Sequence, residues 1–283
     1  MRGGLLSLLA DVSRRQDVND HQPAPGSPAA LDVADEPTFA AHIVGRPVVL
    51  ARQMGAVQLH AAADQFGAMC RLLELEATVL FADKVLARAG IEAAARALWL
   101  LDPGISTRAR VARGLSERLH DSFQAGQLFG DEGQADRHAR REALLQQARA
   151  AGFTCETPKK SPAYVIGEPR PHATQAMQSL LDAEPTDGDD SLGRGTQRYL
   201  SSFVHATSLG LHSTFSVAEA VVIDHGVSSA PLVSDSGTVA RLTAICSLAW
   251  MLVATPYLTY MGWRDPAWDR TVANHSALMR NYL

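Results

Sequence analysis

The amino-acid sequence predicts an all-α protein, and three observations support this class. Apolar residues recur three and four positions apart over most of the chain, which is the spacing of one helix face. Residues 77–101 are rich in Ala, Leu, Arg and Glu, which are good helix formers. No two alternating apolar and polar runs are joined by a tight-turn sequence. A chain of 283 residues can bury a large core, so we expect a single multi-helix, bundle-like domain over residues 50–283.

Residues 1–49 are predicted to form a disordered N-terminal arm with a Pro-rich linker. The segment QPAPGSPAA has a composition typical of linkers, so we expect residues 16–35 to be loose. The run IVGRPVVL is apolar, but Pro47 cannot donate to a sheet, which indicates an edge strand or a loop. The first apolar run is interrupted by Asp11 and has no small-x-small cleavage site, so we do not expect a signal peptide.

Residues 77–101 are the predicted long central helix. Pro103 disfavours a helical conformation of the residue before it, so the helix should end at residues 102–104. Glu92 lies four residues after Arg88 and four before Arg96, so either arginine can pair with it. These charges either face a cleft or form a partly solvated structural pair, and both interpretations stay open.

The next predicted helix begins with a cap at Ser106 or Thr107. Its buried face is formed by Val111, Leu115, Leu119 and Phe123. Arg108, Arg110 and Arg113 lie on its other sides, where they could bind the phosphates of RNA. The remaining helices are predicted over residues 137–151, 173–183, 190–205 and 215–225, then from residue 238, and finally over residues 266–283. Asp190 or Ser191 can cap the helix over residues 190–205.

Residues 242–263 carry no charged side chain and are long enough to span a bilayer. They also contain several Ser, Thr and Tyr residues, which lower their apolar density. We therefore expect a central buried helix without stable membrane insertion, and a cytoplasmic protein. The predicted core contains Leu98, Trp99, Phe203, Leu248 and Trp250.

Charge and cysteine usage exclude several functional classes. The net charge of −4 argues against a protein that coats nucleic acid, although it permits a local basic groove. The three cysteines are far apart and form no Cys-x-x-Cys motif, which indicates neither a disulfide framework nor a structural zinc site.

Known motifs for metals and nucleotides are incomplete. Glu117 and His120 form one Glu-x-x-His pair, whereas a di-iron site in a helical protein needs two. The sequence LGRG at residues 192–195 is too short for a phosphate-binding loop. We therefore predict no metal and no cofactor.

Arg198 and His205 are the candidate catalytic residues. They are seven positions apart, so on a helix they point to the same side. A histidine can transfer a proton to or from a ribose hydroxyl or a leaving oxygen. An arginine can bind the phosphate bidentately and stabilise its developing charge. The predicted supporting residues are Glu92, Arg96, Tyr199 and Ser202, and the hydroxyl of Ser201 could add a further hydrogen bond.

An all-helical chain in which an Arg is followed after six residues by a His resembles the HEPN (higher eukaryotes and prokaryotes nucleotide-binding) superfamily. Here the motif runs from Arg198 to His205. The resemblance implies a metal-independent ribonuclease of the toxin, defence or RNA-processing type, or an inactive relative. It also implies RNA as a partner and a homodimer with the motif at its cleft.

Two alternatives to the ribonuclease stay open at this point. One is a non-catalytic helical module that binds a partner protein or an apolar small molecule between its helices. The other is a biosynthetic enzyme without a recognisable motif. Convergence of Arg198, His205 and Glu92 on an open positive cleft would favour the nuclease, whereas enclosure by apolar side chains would favour the module.

Overall fold

The structure is a computed structural model that describes residues 2–74, 81–128, 134–157, 165–183, 191–205, 221–224, 227–229 and 236–283. These residues contain 11 helices and two pairs of short antiparallel strands. The predicted all-α class is confirmed.

The elements have the following bounds. The helices are α1 (Arg2–Val18), α2 (Pro28–Ala34), α3 (Glu36–Ala40), α4 (Pro47–Leu72), α5 (Ala82–Leu101), α6 (Thr107–Leu128), α7 (Gln134–Ala150), α8 (Ala173–Leu181), α9 (Leu192–Val204), α10 (Ser236–Met261) and α11 (Pro266–Met279). The strands are β1 (Cys155–Glu156), which pairs with β2 (Val165–Ile166), and β3 (Val221–Asp224), which pairs with β4 (Val227–Ser229).

The main core surrounds α5, which packs against α4, α8, α9 and α10. Phe66 of α4 and Trp250 of α10 meet edge to face, with ring centroids 6.4 Å apart. A second core lies between α3, α6 and α7 and includes Phe39, Val111 and Leu145. Phe203, Leu248 and Trp250 are buried as predicted, whereas Leu98 and Trp99 are only partly buried at the edge of the main core.

The N-terminal arm is helical where it was predicted to be loose, and its disorder is not confirmed. Leu5, Leu8 and Val12 of α1 are buried, because α1 packs against α4 and α10. The linker is held by Ala24, whose N–H donates to the Met261 carbonyl over 2.8 Å. The side chain of Ser27 then caps α2. The apolar stripe of α1 is short, and its burial depends on partners far along the chain.

The predicted edge strand around Pro47 is wrong. Pro47 is the first residue of α4, where its missing N–H has no helical partner to lose. The carboxylate of Glu36 accepts hydrogen bonds from the N–H groups of Val48 (3.2 Å) and Val49 (3.1 Å). Glu36 therefore satisfies the free donors at the start of α4, and α4 crosses the predicted boundary between residues 49 and 50.

One further predicted element differs from the structure. Residues 221–224, predicted as part of a helix, form β3 and pair with β4. The rest of that prediction, residues 215–220 and residue 225, lies outside the described residues, as do residues 77–80 of the predicted central helix.

Arg110 of α6 is fully enclosed and joins four parts of the chain. Its Nε donates to Asp32 Oδ2 of α2 over 2.7 Å, and its Nη groups donate to the carbonyls of Leu100 and Asp102. The guanidinium lies 4.0 Å from the ring centroid of Tyr260 in α10. The Tyr260 hydroxyl also donates to Asp32 Oδ2, over 2.9 Å. We call Asp32, Arg110 and Tyr260 the Arg110 cluster.

Helix α10 is the one helix of the described residues that is long and apolar enough to cross a membrane. In its apolar window, 61% of the residues are buried against the rest of the protein. Core helices of soluble proteins have the same length and composition, so the expected lack of stable membrane insertion and the cytoplasmic location both stay predictions.

All three cysteines are free thiols. Cys70 and Cys246 are buried in the main core, where Cys246 Sγ lies 3.8 Å from the Met69 sulfur. Cys155 in β1 is partly exposed. Burial raises the pKa of each thiol, most strongly that of Cys246.

Candidate functional site

Helix α9 carries the predicted motif and is strongly amphipathic. Ser191 caps it by accepting a hydrogen bond from the Arg194 N–H over 3.0 Å, in agreement with the predicted cap. Leu200 and Phe203 are buried where α9 packs against α5 and α8. The opposite side carries polar residues three or four positions apart, which we call the α9 row: Arg194, Gln197, Arg198, Ser201 and His205.

Arg198 and His205 are both exposed on this row. Their Cα atoms are seven residues apart, which is about 10 Å along a helix. His205 is the residue that caps the C-terminus of α9, and its N–H donates to the Ser201 carbonyl over 3.0 Å. Neither side chain has a hydrogen-bond or ion-pair partner among the residues that the structure describes. They are therefore open to a ligand, and the alternative of enclosed core groups does not fit their exposure.

A row of side chains on α5 meets the α9 row at Ser201. Arg88 Nε donates to Glu92 Oε1 over 2.8 Å, and Arg88 Nη1 donates to Ser201 Oγ over 3.1 Å. Gln197 Nε2 donates to the same Ser201 oxygen over 2.8 Å. Because Ser201 accepts both bonds, its own hydrogen is left to donate. The contact places a guanidinium, a hydroxyl and an amide beside the face that carries Arg198.

The other predicted supporting residues have different roles in this geometry. Glu92 pairs with Arg88 and not with Arg96, which lies one turn further along α5. Tyr199 packs edge to face on Phe203, with ring centroids 4.9 Å apart. The buried hydroxyl of Ser202 donates to the Tyr199 carbonyl over 2.7 Å. Both contacts lie within α9, and Tyr199 and Ser202 lie off the α9 row.

The three arginines of α6 that were predicted to bind phosphate all make contacts within the protein. Arg108 is exposed, donates to the carbonyl of Gly152 over 2.5 Å and lies 4.3 Å from the ring centroid of Phe153. Arg113 pairs with Glu168. Arg110 has no exposed surface, so the predicted phosphate contact does not hold for this residue. For Arg108 and Arg113 it stays a prediction.

A second group of charged side chains lies around His120 on α6. The buried carboxylate of Glu117 pairs with Arg170 over 2.5 Å. Burial, and then the charge of Arg170, lowers the pKa of the half-buried His120. Asp121 keeps an exposed surface, and partial desolvation, and then the charge of Glu117, raises its pKa. Both shifts favour the neutral forms of the two side chains.

Glu117 of the single Glu-x-x-His motif thus forms an ion pair with Arg170. Across the described ranges, from residue 2 to residue 283 with their gaps, no group of three His, Cys, Asp or Glu side chains is placed to hold a metal ion.

Arg88 and Gln197 were not among the predicted site residues, whereas Ser201 was expected to add a hydrogen bond. Arg88 had one sequence signal, its position four residues before Glu92. Gln197 and Ser201 follow the spacing of the α9 row and are hydrogen-bonded to each other, but the contact of Ser201 with Arg88 joins residues far apart in the chain.

The chain matches no protein-family model, no curated protein and no solved structure. Its function is therefore inferred from its own residues and their geometry.

Proposed function

We propose that the protein is a metal-independent ribonuclease of the HEPN type, or an inactive RNA-binding relative, in a toxin, defence or RNA-processing role. One observation carries the proposal: Arg198 and His205 are exposed on one face of α9, beside the Arg88–Ser201 contact. Guanidinium, hydroxyl and amide groups can donate hydrogen bonds to the oxygens of a phosphodiester, and an imidazole can also transfer a proton. The groups on this face are therefore suited to binding and cleaving a phosphodiester.

The proposed reaction is transfer of the phosphodiester to the neighbouring ribose hydroxyl. His205 takes the proton of the 2′-hydroxyl, whose oxygen attacks phosphorus. The bond from phosphorus to the 5′-oxygen breaks, and that oxygen takes a proton from water. The products are a 2′,3′-cyclic phosphate and a 5′-hydroxyl, and His205 returns its proton to solvent.

The cations have separate tasks in this reaction. Arg198 binds the non-bridging oxygens and stabilises the charge that develops on them. Glu92 orients Arg88 through the 2.8 Å ion pair, so that Nη1 of Arg88 reaches Ser201. Ser201 is then held with its hydrogen free to donate to a phosphate oxygen.

The test is cleavage of an unstructured RNA oligomer, with products identified by mass. We expect cyclic-phosphate products whose formation continues in the presence of a chelator. His205→Ala should lower the rate by about 10²–10⁴-fold, the usual contribution of a general acid or base. His42→Ala is the matched control, because His42 is exposed and lies beyond the end of α3.

Two results would contradict the proposal. Cleavage that stops with the chelator would remove the metal-independent mechanism. An oligomer that is neither bound nor cut would remove both the enzyme and its inactive relative.

A second candidate function is supported by a cleft between α10 and α11. Its volume is about 510 Å³, within the range typical of small-molecule sites. The lining is mainly apolar and includes Leu248, Met251, Leu252 and Met279. The non-catalytic alternative would bind an apolar small molecule here. A fatty acid that raises the melting temperature of the wild type, but not of Met251→Trp, would support this function.

We propose that the described helices form one bundle-like domain, that the protein is cytoplasmic, and that it forms a homodimer through the face that carries Arg198. The dimer is checked by sedimentation of the wild type and of Arg198→Glu.

A further inference from the structure

A cavity of about 340 Å³ lies between α5, α6, α8 and the segment after β2. It is separate from the α9 row, and its lining includes Leu98, Trp99, Asp102, Arg113 and Glu168. The volume is within the usual range for small-molecule sites. Its walls combine an indole, a guanidinium and two carboxylates, a set that an apolar ligand would not need.

Trp99 and Arg113 give the cavity two flat surfaces. The Arg113 guanidinium lies 5.3 Å from the ring centroid of Trp99. It is fixed there by hydrogen bonds to the Glu168 carboxylate and to the Trp99 carbonyl. Aromatic rings and guanidinium planes are the surfaces on which unstacked nucleobases pack in complexes with single-stranded RNA.

The two carboxylates supply hydrogen-bond acceptors. Asp102 Oδ1 accepts from the Gly104 N–H over 2.8 Å, and Glu168 Oε1 accepts from Arg113. The second oxygen of each carboxylate has no partner among the described residues. Since a carboxylate accepts two parallel N–H bonds, it fits the adjacent N1–H and amino groups of guanine. Uracil presents one N–H between two carbonyl oxygens, which a carboxylate disfavours.

The cavity is aligned with the proposed catalytic residues by α5. Arg88, Glu92, Arg96 and Trp99 are three or four positions apart and share one face of this helix. Arg88 and Trp99 are separated by about 16 Å along the axis, a span of a few nucleotides of single-stranded RNA. Arg96 lies between them, is partly buried and has no hydrogen-bond or ion-pair partner among the described residues.

We infer that the cavity beside Trp99 is a nucleobase subsite that binds guanine in single-stranded RNA, while Arg96 binds a phosphate of the same strand. This inference rests on the proposed function, because it places the cleaved phosphate at the α9 row. It adds a substrate class: unpaired RNA with a guanine a few nucleotides from the cleaved bond.

The experiment measures binding of two labelled oligomers, oligouridine and the same oligomer with one guanine, at a single salt concentration. The protein carries His205→Ala, so that binding is separated from cleavage. We expect the guanine oligomer to bind more tightly. Trp99→Leu should weaken its binding about tenfold, because stacking on one aromatic ring contributes that order of affinity. Trp99→Phe, which keeps a ring, should recover most of the loss.

Asp102→Asn is the sharper variant, because its geometry is nearly unchanged. Its amide oxygen still accepts from the Gly104 N–H, while the other oxygen becomes an NH₂ donor. We expect the preference for guanine over uracil to disappear, because guanine binding weakens while oligouridine binding does not. A purely structural role of Asp102 would change both affinities together, and so would a folding defect in Trp99→Leu.

The outcomes separate this inference from the proposed function. Equal binding of both oligomers, unaffected by Asp102→Asn, would overturn the subsite while cleavage at the α9 row could stand. Guanine preference that depends on Asp102, in a protein whose wild type never cleaves RNA, would keep the subsite and remove the enzyme. Absence of RNA binding would remove both.

Discussion

Arg110 and Arg198 show the two uses of arginine in this protein. Arg110 has no exposed surface, and its guanidinium is bonded to a carboxylate and to two main-chain carbonyls. Arg198 is exposed and has no hydrogen-bond or ion-pair partner among the described residues. Both were candidate phosphate ligands by residue type. The comparison teaches that the partners already present, and not the residue type, decide whether an arginine is available to a ligand.

A third arginine lies between these extremes. Arg15 of α1 donates to both carboxylate oxygens of Asp265, over 2.8 and 3.0 Å, and to the Trp263 carbonyl. Its side chain is mostly buried, whereas that of Asp265 is 48% exposed. If burial decides how much an arginine stabilises the fold, the loss of stability on removing its interactions should be largest for Arg110, smaller for Arg15 and smallest for Arg198.

The largest effect is expected for Arg110→Met. The substitution leaves the Asp32 carboxylate buried without its cation, and breaking such a pair costs about 3–5 kcal/mol. The free energy of unfolding, from urea titration, is the measurement. Arg108→Met on the same helix is the control and should cost less than about 1 kcal/mol, because Arg108 is exposed. Equal losses in the two variants would contradict the structural role of the Arg110 cluster.

A smaller loss is expected for Tyr260→Phe. The ring stays beneath the guanidinium, but the hydroxyl that donates to Asp32 over 2.9 Å is removed. A hydrogen bond to a charged group contributes about 1.5–3 kcal/mol. The double variant with Arg110→Met should lose less than the sum of the two single losses, because the residues share Asp32. Strict additivity in this cycle would show that they act independently.

The ion pair of Arg15 and Asp265 should lose its stabilising effect at strongly acidic pH. The hydrogen bonds from Arg15 to the Asp265 carboxylate lower the pKa of Asp265 from 3.8 to about 2. The stabilisation is therefore complete above pH 3.8 and is lost as the pH falls towards 2. Because Asp265 is nearly half exposed, Asp265→Asn should cost about 1 kcal/mol or less near neutral pH.

Urea titrations at neutral and acidic pH test this dependence. Asn retains the cap on α11 through its amide oxygen, so the variant removes the charge and the hydrogen bond from Arg15 Nη1 while it keeps the cap. The difference between wild type and variant should shrink with falling pH. Asp269→Asn in the same helix is the control. A difference that is constant with pH would contradict the proposed role of the Arg15 pair.

The smallest change in stability is expected for Arg198→Ala and His205→Ala. Substitution of an exposed side chain without a hydrogen-bond or ion-pair partner usually changes the free energy of unfolding by no more than about 0.5 kcal/mol. The same substitutions should give the largest loss of RNA cleavage. Thermal denaturation together with the cleavage assay measures both effects. Unfolding of His205→Ala would show that the histidine is structural.

The sequence predicted those features that depend on residues within a few turns. The end of α5 before Pro103 and the cap of α9 at Ser191 are confirmed, because both follow from local backbone chemistry. The burial of α1 was missed, since it depends on α10, which lies at the other end of the chain. Pro47 was misread, because the same residue suits a strand edge and a helix start.

The candidate site was predictable to a similar extent. The spacing of Arg198 and His205 is a local property of the sequence around α9, and both side chains are exposed in the structure. The contact of Arg88 with Ser201 joins residues 113 positions apart, and the ion pair of Arg110 with Asp32 joins residues 78 apart. Without the fold, nothing in the local sequence distinguishes the enclosed arginine from the open one.

The different burial of the three thiols allows their reaction rates to report opening of the core. A thiol reagent attacks the thiolate, so a buried thiol with a raised pKa reacts only after the surrounding helices separate. Cys155 should therefore be modified in the folded protein, whereas Cys70 and Cys246 should react only when the core is exposed. Counting labels by mass against time would give the rate at which α4 and α10 part, with no dye or added residue.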